Sequence, residues 1–289
     1  MKIIETMSRQ KPFLSLEFFP PKDRSDWDEF FGTVSSLSTL SPLFVSVTYG
    51  AGGSAHSATL EIVTRITTDL AIPTMAHLTC INSTTDEIDT FLARLADSGI
   101  ENVLALRGDP PQGESPDRLV HPPLSHASDL VSHIRSRNPR FGIAVAAYPE
   151  PHPESTSPEA DLNYLKLKLD NGADFAITQL FFDNQTFVDF VRRARAIGIT
   201  QPIIPGILPV VSMTVINRII SLCGATIPPS YRRELEEADR QGGSEQVREV
   251  GIAHARRQIA DLLDRGVPGV HLYTLNRGDV TRRVVEGLF

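Results

Sequence analysis

Residues 74–108, TMAHLTCINSTTDEIDTFLARLADSGIENVLALRG, contain one complete strand–helix–strand unit. The segments TMAHLTC (74–80) and NVLALRG (102–108) are short and apolar, which is typical of buried strands. Between them the apolar residues recur with helical spacing, from about Thr85 to a stop at Gly99. Two strands joined by a helix in this way are expected to lie parallel, with a right-handed crossover.

The same alternation runs through the rest of the chain. Strand–helix units repeated eight times in 289 residues predict an α/β fold, a (β/α)8 TIM barrel, with residues 1–289 as a single domain. An extra charged helix is predicted between strands seven and eight, in ATIPPSYRRELEEADRQGGS (225–244). The other predicted strands are FLSLEFF (13–19), FVSVTYG (44–50), IAVAAYP (143–149), FAITQLFF (175–182), IIPGIL (203–208) and GVHLYTL (269–275).

A doubly wound open sheet is the competing architecture. It would place a G-x-G-x-x-G turn between the first strand and the first helix, and no such turn is present there. The glycine-rich segment YGAGGS (49–54) follows strand two instead and has the wrong spacing. The barrel is therefore favoured.

Composition narrows the class of protein. The net charge of -7 argues against a nucleic-acid partner, which usually meets a basic face. Cys80 and Cys223 match no metal or redox spacing, so a reduced cytoplasmic setting is expected. The N-terminus lacks the apolar core of a signal peptide, and no apolar run reaches the ~18 residues of a membrane span.

Polar residues collect where the predicted strands end. In a barrel these ends meet at one face, which is where binding and catalysis occur. Each residue alone has a structural explanation, such as a turn cap or a hydrogen-bonded core histidine, but their convergence predicts a ligand site. The residues are Glu17, Thr48, His77, Arg107, Asp109, Tyr148, Gln179, Asn276 and Arg277.

Side-chain alternation places Glu17 inside the barrel. If Glu17 points inward then Phe13 and Ser15 do so too, while Leu16 and Phe18 face the helices. A further wall of the site is expected from the loop PEPHPESTSPEAD (149–161). His152 in this loop and Lys168 on the next helix are placed to reach ligand phosphates.

Eight motifs in register resemble the methylenetetrahydrofolate reductase family in its bacterial single-domain form. They are SLEFFPPK, VSVTYGAGGS, AHLTC, LALRGDPP, AAYPEPHPES, AITQLFFD, GILPV and HLYTLNR, between residue 13 and about residue 277. The resemblance implies a flavoprotein in which FAD takes a hydride from NADH or NADPH and passes it to methylenetetrahydrofolate. It also implies a barrel without an appended regulatory domain, and homo-oligomers are common in the family.

The resemblance assigns roles to individual residues. Glu17 matches the acid that protonates the folate, so its pKa is expected to be raised by apolar surroundings. Asp109 matches the carboxylate beside the flavin and the pterin. Folate contacts are implied for Glu17, Thr48, Asp109, Tyr148, Gln179 and Arg277. FAD contacts are implied for Thr48, Tyr49, Ala51, His77, Arg107, Gly108, Asp109, Tyr148, His152, Asp161 and Lys168.

The chain departs from its bacterial relatives at two positions near the implied FAD site. Tyr164 stands where asparagine is common, and Leu167 stands where a basic residue is frequent. Alternative hypotheses are a folate-binding methyltransferase module without flavin, a flavin-independent reductase, and a barrel without catalytic activity. A metal hydrolase is disfavoured, because His121 and His126 lie in a proline-rich loop without metal-ligand spacing, and no metal is expected.

Overall fold

The computed structural model describes residues 1–48, 55–109 and 124–289, and over these ranges it shows the predicted alternation of strands and helices. Its strands form one sheet in which every paired neighbour is parallel. The strands are β1 (Phe13–Phe18), β2 (Phe44–Val47), β3 (Thr74–Thr79), β4 (Asn102–Leu106), β5 (Gly142–Ala147), β6 (Phe175–Thr178), β7 (Ile203–Ile204), β8 (Gly206–Ile207) and β9 (Gly269–Tyr273).

The sheet closes on itself through a broken seventh strand. Its order is β7-β6-β5-β4-β3-β2-β1-β9-β8, and Pro205 separates the two end segments. Proline has no N–H to donate to a ladder, but its carbonyl accepts from the His271 N–H at 2.9 Å. The Gly206 N–H donates to Thr178 Oγ1 at 2.9 Å. The ring is thus nearly closed, and the predicted TIM-barrel fold is confirmed.

The helices follow the strands as predicted, with two additions at the ends of the chain. The long α9 is interrupted at Gly242 and Gly243, so it contains both the predicted extra helix and the helix that precedes the last strand. Neither α1 nor α10 was predicted. The helices are α1 (Ile3–Met7), α2 (Trp27–Ser38), α3 (Ala55–Asp69), α4 (Thr85–Asp97), α5 (Ala127–Arg137), α6 (Pro158–Asp170), α7 (Asn184–Ala196), α8 (Met213–Cys223), α9 (Pro229–Asp264) and α10 (Gly278–Val285).

The amino end of the barrel is filled by apolar side chains. Phe13 and Phe44 lie inside the ring, and Ile3 and Met7 of α1 pack beneath them. The side chain of Asn102 holds α1 in place, since it accepts from the Ile3 N–H at 2.8 Å and donates to the Met1 carbonyl at 3.1 Å. A ligand therefore meets the barrel interior from the opposite, carboxyl end.

A separate apolar cluster builds one wall above the carboxyl end. It joins Phe182 and Leu208, which follow β6 and β8, to Ile216 of α8 and to Tyr231 and Leu235 of α9. The inserted first half of α9 is thus anchored to the barrel by burial of apolar surface. In the parts of the chain that are described, no helix combines the length and apolar character needed to cross a membrane.

Candidate functional site

Strand β1 carries Glu17 on its inward face. Parallel pairing sets Glu17 opposite Ser46 of β2 and Tyr273 of β9. Leu16 and Phe18 point outward and are buried against the helices, which confirms the predicted alternation. The Glu17 residue is only 6% exposed, so its carboxylate has lost most contact with water.

Glu17 belongs to a buried polar cluster at the carboxyl end of the barrel, called here the carboxylate–histidine cluster: Ser15, Glu17, Ser46, His77 and His271. Glu17 Oε2 accepts from Ser46 Oγ and lies within hydrogen-bond distance of His271 Nε2, both at 3.2 Å. His77 Nε2 is also 3.2 Å from Glu17 Oε2, but its N–H is not aligned for a hydrogen bond. His271 Nδ1 lies 2.8 Å from Ser15 Oγ.

The expected raised pKa of Glu17 is wrong. Burial does favour the protonated carboxyl, but the charge of His77 and the hydrogen bond from His271 outweigh it and lower the pKa to about 2. Glu17 is therefore ionised at neutral pH.

The geometry of the cluster suits proton exchange. Two imidazoles approach one carboxylate oxygen, and the far nitrogen of His271 is held by Ser15. Histidine is the side chain that gains and loses protons most readily near neutral pH. Among the described residues, no group of three or more His, Cys, Asp or Glu side chains has the arrangement needed to hold a metal ion.

A second group, called here the cationic rim, lies beyond strands β4 and β5: Arg107, Tyr148, His152, Asp161 and Lys168. The His152 ring stands edge-on to Tyr148 at 5.0 Å, and the His152 N–H donates to Asp161 Oδ2 at 2.8 Å. Lys168 Nζ donates to the Ala146 carbonyl at 2.6 Å and lies 5.8 Å from the Tyr148 ring centre. Four predicted site residues are thus brought together.

Burial shifts the ionisation of two members of the cationic rim. It lowers the pKa of Lys168 to about 8, and Asp161 opposes this shift only in part. It also raises the pKa of Tyr148 to about 12, with further contributions from Asp161 and Asp109. Lys168 is therefore an amine that changes charge near physiological pH, whereas Tyr148 remains a neutral hydroxyl.

Arg107 is paired with a residue that was not predicted. Its Nη1 lies 2.6 Å from Glu154 Oε2, and its Nε donates to the Gly108 carbonyl at 3.2 Å. The hydrogen bond with Glu154 raises the pKa of Arg107 and outweighs the opposing effect of burial, with Asp109 adding to the rise. The carboxylate of the exposed Asp109 thus acts electrostatically on this rim.

Gly108 is required by its surroundings. Its φ is +87°, and a Cβ at this position would lie 2.7 Å from Ile81 Cγ2. A side chain would therefore be strained both by the backbone conformation and by contact. The glycine lets the backbone adopt this left-handed conformation between Arg107 and Asp109.

Three other predicted residues show no such grouping. The Thr48 N–H donates to the Phe18 carbonyl at 3.0 Å, which continues the sheet by one residue. Gln179 turns its side-chain oxygen back to accept from the Leu180 N–H at 2.9 Å. Arg277 is exposed at the start of α10.

Three residues named from the sequence, Tyr49, Ala51 and His121, lie outside the described residues. His126 is described and lies at the start of α5, where its Nδ1 is 3.5 Å from Asp129 Oδ2. Asn276, the remaining strand-end residue, links the segment after β9 to the segment after β1. Its side chain accepts from the Phe19 N–H at 3.0 Å and donates to the Phe19 carbonyl at 2.8 Å.

Sequence reasoning missed His271 and Tyr273 on the last strand. Tyr273 donates to the Thr178 carbonyl at 2.7 Å, and burial together with Glu17 and Tyr148 raises its pKa well above the usual value. It therefore lies between the carboxylate–histidine cluster and the cationic rim. The segment GVHLYTL (269–275) did contain a signal for both residues. Side chains two positions apart on a strand share a face, so His271 and Tyr273 both point inward.

A nearly closed parallel barrel with a buried carboxylate–histidine cluster at the carboxyl ends of its strands belongs to the class of barrel proteins that bind ligands at that face. Sequence comparison identifies the family within this class. The chain matches the methylenetetrahydrofolate reductase family over residues 2–288 and belongs to it. The resemblance stated from the motifs is confirmed.

Two relatives that are similar to this chain differ in the share of their length that it covers. The 5,10-methylenetetrahydrofolate reductase of Escherichia coli is 37% identical over 275 residues, which cover 95% of this chain and 90% of that protein. Methylenetetrahydrofolate reductase (NADH) 1 of Arabidopsis thaliana is 40% identical over 285 residues. This chain covers only about half of the Arabidopsis thaliana protein, 48% of its length.

Solved structures support the fold. A protein from Clostridium thermocellum, described as binding two copies of 5-methyl-5,6,7,8-tetrahydrofolic acid, superimposes with a TM-score of 0.63 at 13% identity. The match covers 98% of this chain and 96% of that one. A 2,3-dimethylmalate lyase matches with a TM-score of 0.54 at 8% identity, over 100% of this chain and 86% of its own.

Proposed function

We propose that this chain reduces 5,10-methylenetetrahydrofolate to 5-methyltetrahydrofolate with NADH or NADPH, by ping-pong hydride transfer with FAD as the carrier. The observation that carries the proposal is the buried Glu17, held between His77 and His271 at the ligand-binding end of a barrel of this family. The E. coli relative that is matched over most of its length is named for the same reaction.

The residues of the cationic rim fit an FAD molecule. Arg107 and Lys168 supply positive charge for its diphosphate, and Tyr148 offers an aromatic face next to Lys168. When bound, FAD supplies the capacity to accept and donate a hydride. Tyr164 and Leu167 are 57% and 45% exposed on α6, the helix that carries Asp161 and Lys168. They add apolar surface to the exposed face of this helix.

The carboxylate–histidine cluster is proposed to protonate the folate. Opening the five-membered ring of the substrate requires a proton on the nitrogen that leaves, and this produces an electrophilic iminium at the one-carbon unit. Glu17 is ionised at neutral pH and has an imidazole nitrogen of His77 and one of His271 within 3.2 Å, so its carboxylate delivers to the nitrogen a proton relayed through the cluster. Asp109, Gln179, Thr48, Tyr148 and Arg277 are proposed to hold the folate.

An absorbance spectrum tests the cofactor. The purified protein, reconstituted with FAD if needed, is expected to bleach on anaerobic addition of NADH or NADPH and to regain its colour with methylenetetrahydrofolate. A protein that binds the folate but never FAD would favour the methyltransferase-type module. Reduction of the folate without any bound flavin would instead favour the flavin-independent reductase.

The role of Glu17 is tested by Glu17→Gln. Bleaching by NADH is expected to persist, while the folate half-reaction is expected to slow by about 10²–10⁴-fold, the usual contribution of acid–base catalysis. The exposed Glu29→Gln on α2 serves as the control for charge removal. A Glu17→Gln protein that reoxidises with folate at the normal rate would remove Glu17 from the mechanism.

A further inference from the structure

The ion pair between Arg107 and Glu154 joins two loops at the carboxyl end of the barrel. Arg107 follows β4, and Glu154 lies in the loop between β5 and α6. The two side chains approach to 2.6 Å between Nη1 and Oε2. Their exposed fractions are 33% and 56%, so water reaches the pair.

An exposed pair of this kind is not needed to hold the fold. Ion pairs in contact with water contribute little to stability, because solvation replaces most of what the contact provides. The loop is fixed by other contacts. The His152 N–H donates to Asp161, Ser157 caps α6 by accepting from the Ala160 N–H, and Glu150 accepts from the Thr226 N–H.

Arg107 is also the residue of the cationic rim that is best suited to bind an anion. Its guanidinium is permanently charged and presents several N–H groups in one plane, which suits phosphate oxygens as well as carboxylate oxygens. One of these groups is taken by Glu154. The hydrogen bond from Arg107 lowers the pKa of Glu154, so the carboxylate stays ionised at neutral pH.

We propose that Glu154 is an internal counter-ion that competes with the anionic part of the ligand for Arg107 and thereby sets its affinity. The proposal rests on the proposed function, in which that ligand is FAD. Binding of the diphosphate displaces the Glu154 carboxylate from Arg107, which releases the carboxylate to water. The site therefore binds FAD more weakly than it would if Arg107 had no counter-ion.

The test compares FAD binding in the wild type and in Glu154→Gln, measured by quenching of flavin fluorescence. The variant is expected to bind FAD about two- to fivefold more tightly, the range that an exposed ion pair corresponds to. The difference is expected to shrink at high salt, since screening weakens the competing pair. Thermal unfolding of the variant without added FAD checks that it is folded.

Two controls make the result specific. Riboflavin has the flavin ring but no phosphate, so its affinity is expected to be the same in both proteins. Glu159→Gln removes an exposed carboxylate from the first turn of α6, without touching Arg107, and is expected to leave FAD affinity unchanged. Equal or weaker FAD binding by Glu154→Gln would overturn the proposal, as would an equal gain in Glu159→Gln. Absence of FAD binding in every protein, wild type included, would overturn the proposed flavin function instead.

Discussion

At the scale of single residues, Glu17 shows how the sign of a pKa shift depends on distant parts of the chain. Its neighbours Leu16 and Phe18 are apolar, and burial alone would keep the carboxyl protonated. His77 and His271 reverse the outcome, yet they come from β3 and β9. The sequence predicted the position of Glu17 and of His77 but could not reveal that both imidazoles meet one carboxylate oxygen.

The lowered pKa of Glu17 makes the unfolding free energy depend on pH in the acid range. The folded pKa is about 2, below the ordinary value of 4.5, so the folded protein binds fewer protons than the unfolded chain between these values. This stabilisation is present above pH 4.5 and is lost as the pH falls toward 2. The wild type is expected to lose more unfolding free energy between pH 5 and pH 3 than Glu17→Gln, in urea titrations. Equal losses in the two proteins would contradict the lowered pKa.

Lys168 is expected to titrate far below an ordinary lysine. Burial favours its neutral amine and lowers its pKa to about 8, whereas a solvated lysine has a pKa of about 10.4. In protein labelled with ¹³C-lysine, one Cε resonance should therefore move with a midpoint near pH 8. Lys168→Met assigns the resonance by its disappearance. A set of lysines that all titrate together above pH 10 would refute the shift.

At the scale of elements, α4 shows that helix starts are readable to within one residue. The sequence suggested Thr85 as the start, and α4 does begin at Thr85. The N-cap is the preceding residue, Thr84, whose Oγ1 accepts from the Glu87 N–H at 3.3 Å. The Glu87 side chain accepts in return from the Thr84 N–H at 2.8 Å. Two adjacent threonines fit the same pattern, and only the backbone conformation distinguishes them.

This pair of threonines offers a matched test of the cap. Thr84→Ala removes the side chain that caps the helix and is expected to cost about 1 kcal/mol of unfolding free energy. Thr85→Ala, at the first helical position, is expected to change it by no more than about 0.5 kcal/mol. Urea unfolding of the two variants measures the difference. A larger loss in Thr85→Ala would place the cap one residue later.

Physical reasons explain why the sequence did not reveal the helix α1 or the break in the seventh strand. The helix α1 has only five residues, too few for a periodic pattern, and it is held mainly by burial of Ile3 and Met7 under the barrel. The seventh strand was predicted as one segment, but Pro205 divides it into β7 and β8. Both outcomes depend on partners far away in the chain.

At the scale of the whole molecule, the strand–helix alternation was enough to predict the barrel, whereas the way the ring closes was not. The eight strand segments and the extra helix follow from local patterns. Closure depends on how β6, the broken seventh strand and β9 approach one another. There Thr178 accepts from the Gly206 N–H, and Tyr273 packs against the same glycine.

Gly206 is therefore expected to be essential for closing the ring. A Cβ at this position would lie 2.2 Å from the Thr178 carbonyl oxygen and 2.8 Å from the Tyr273 hydroxyl, and the backbone atom cannot move without opening the β6–β7 pairing. Gly206→Ala is expected to lower the unfolding free energy by about 1–3 kcal/mol or more, as overpacking of a tight core does.

The exposed Gly32, in α2, provides the matched control, because a Cβ added there would meet nothing within 4 Å outside its own helix. Gly32→Ala is expected to stabilise the protein by about 0.5–1 kcal/mol, because alanine loses less backbone freedom in a helix. Urea unfolding of both variants gives the comparison. Because Tyr273 contacts the His271 ring and interacts electrostatically with Glu17 and Tyr148, the displacement in Gly206→Ala should also reach the site and weaken binding of the proposed flavin, which Gly32→Ala should leave unchanged. A Gly206→Ala protein as stable as the wild type would show that the ring is closed by other contacts.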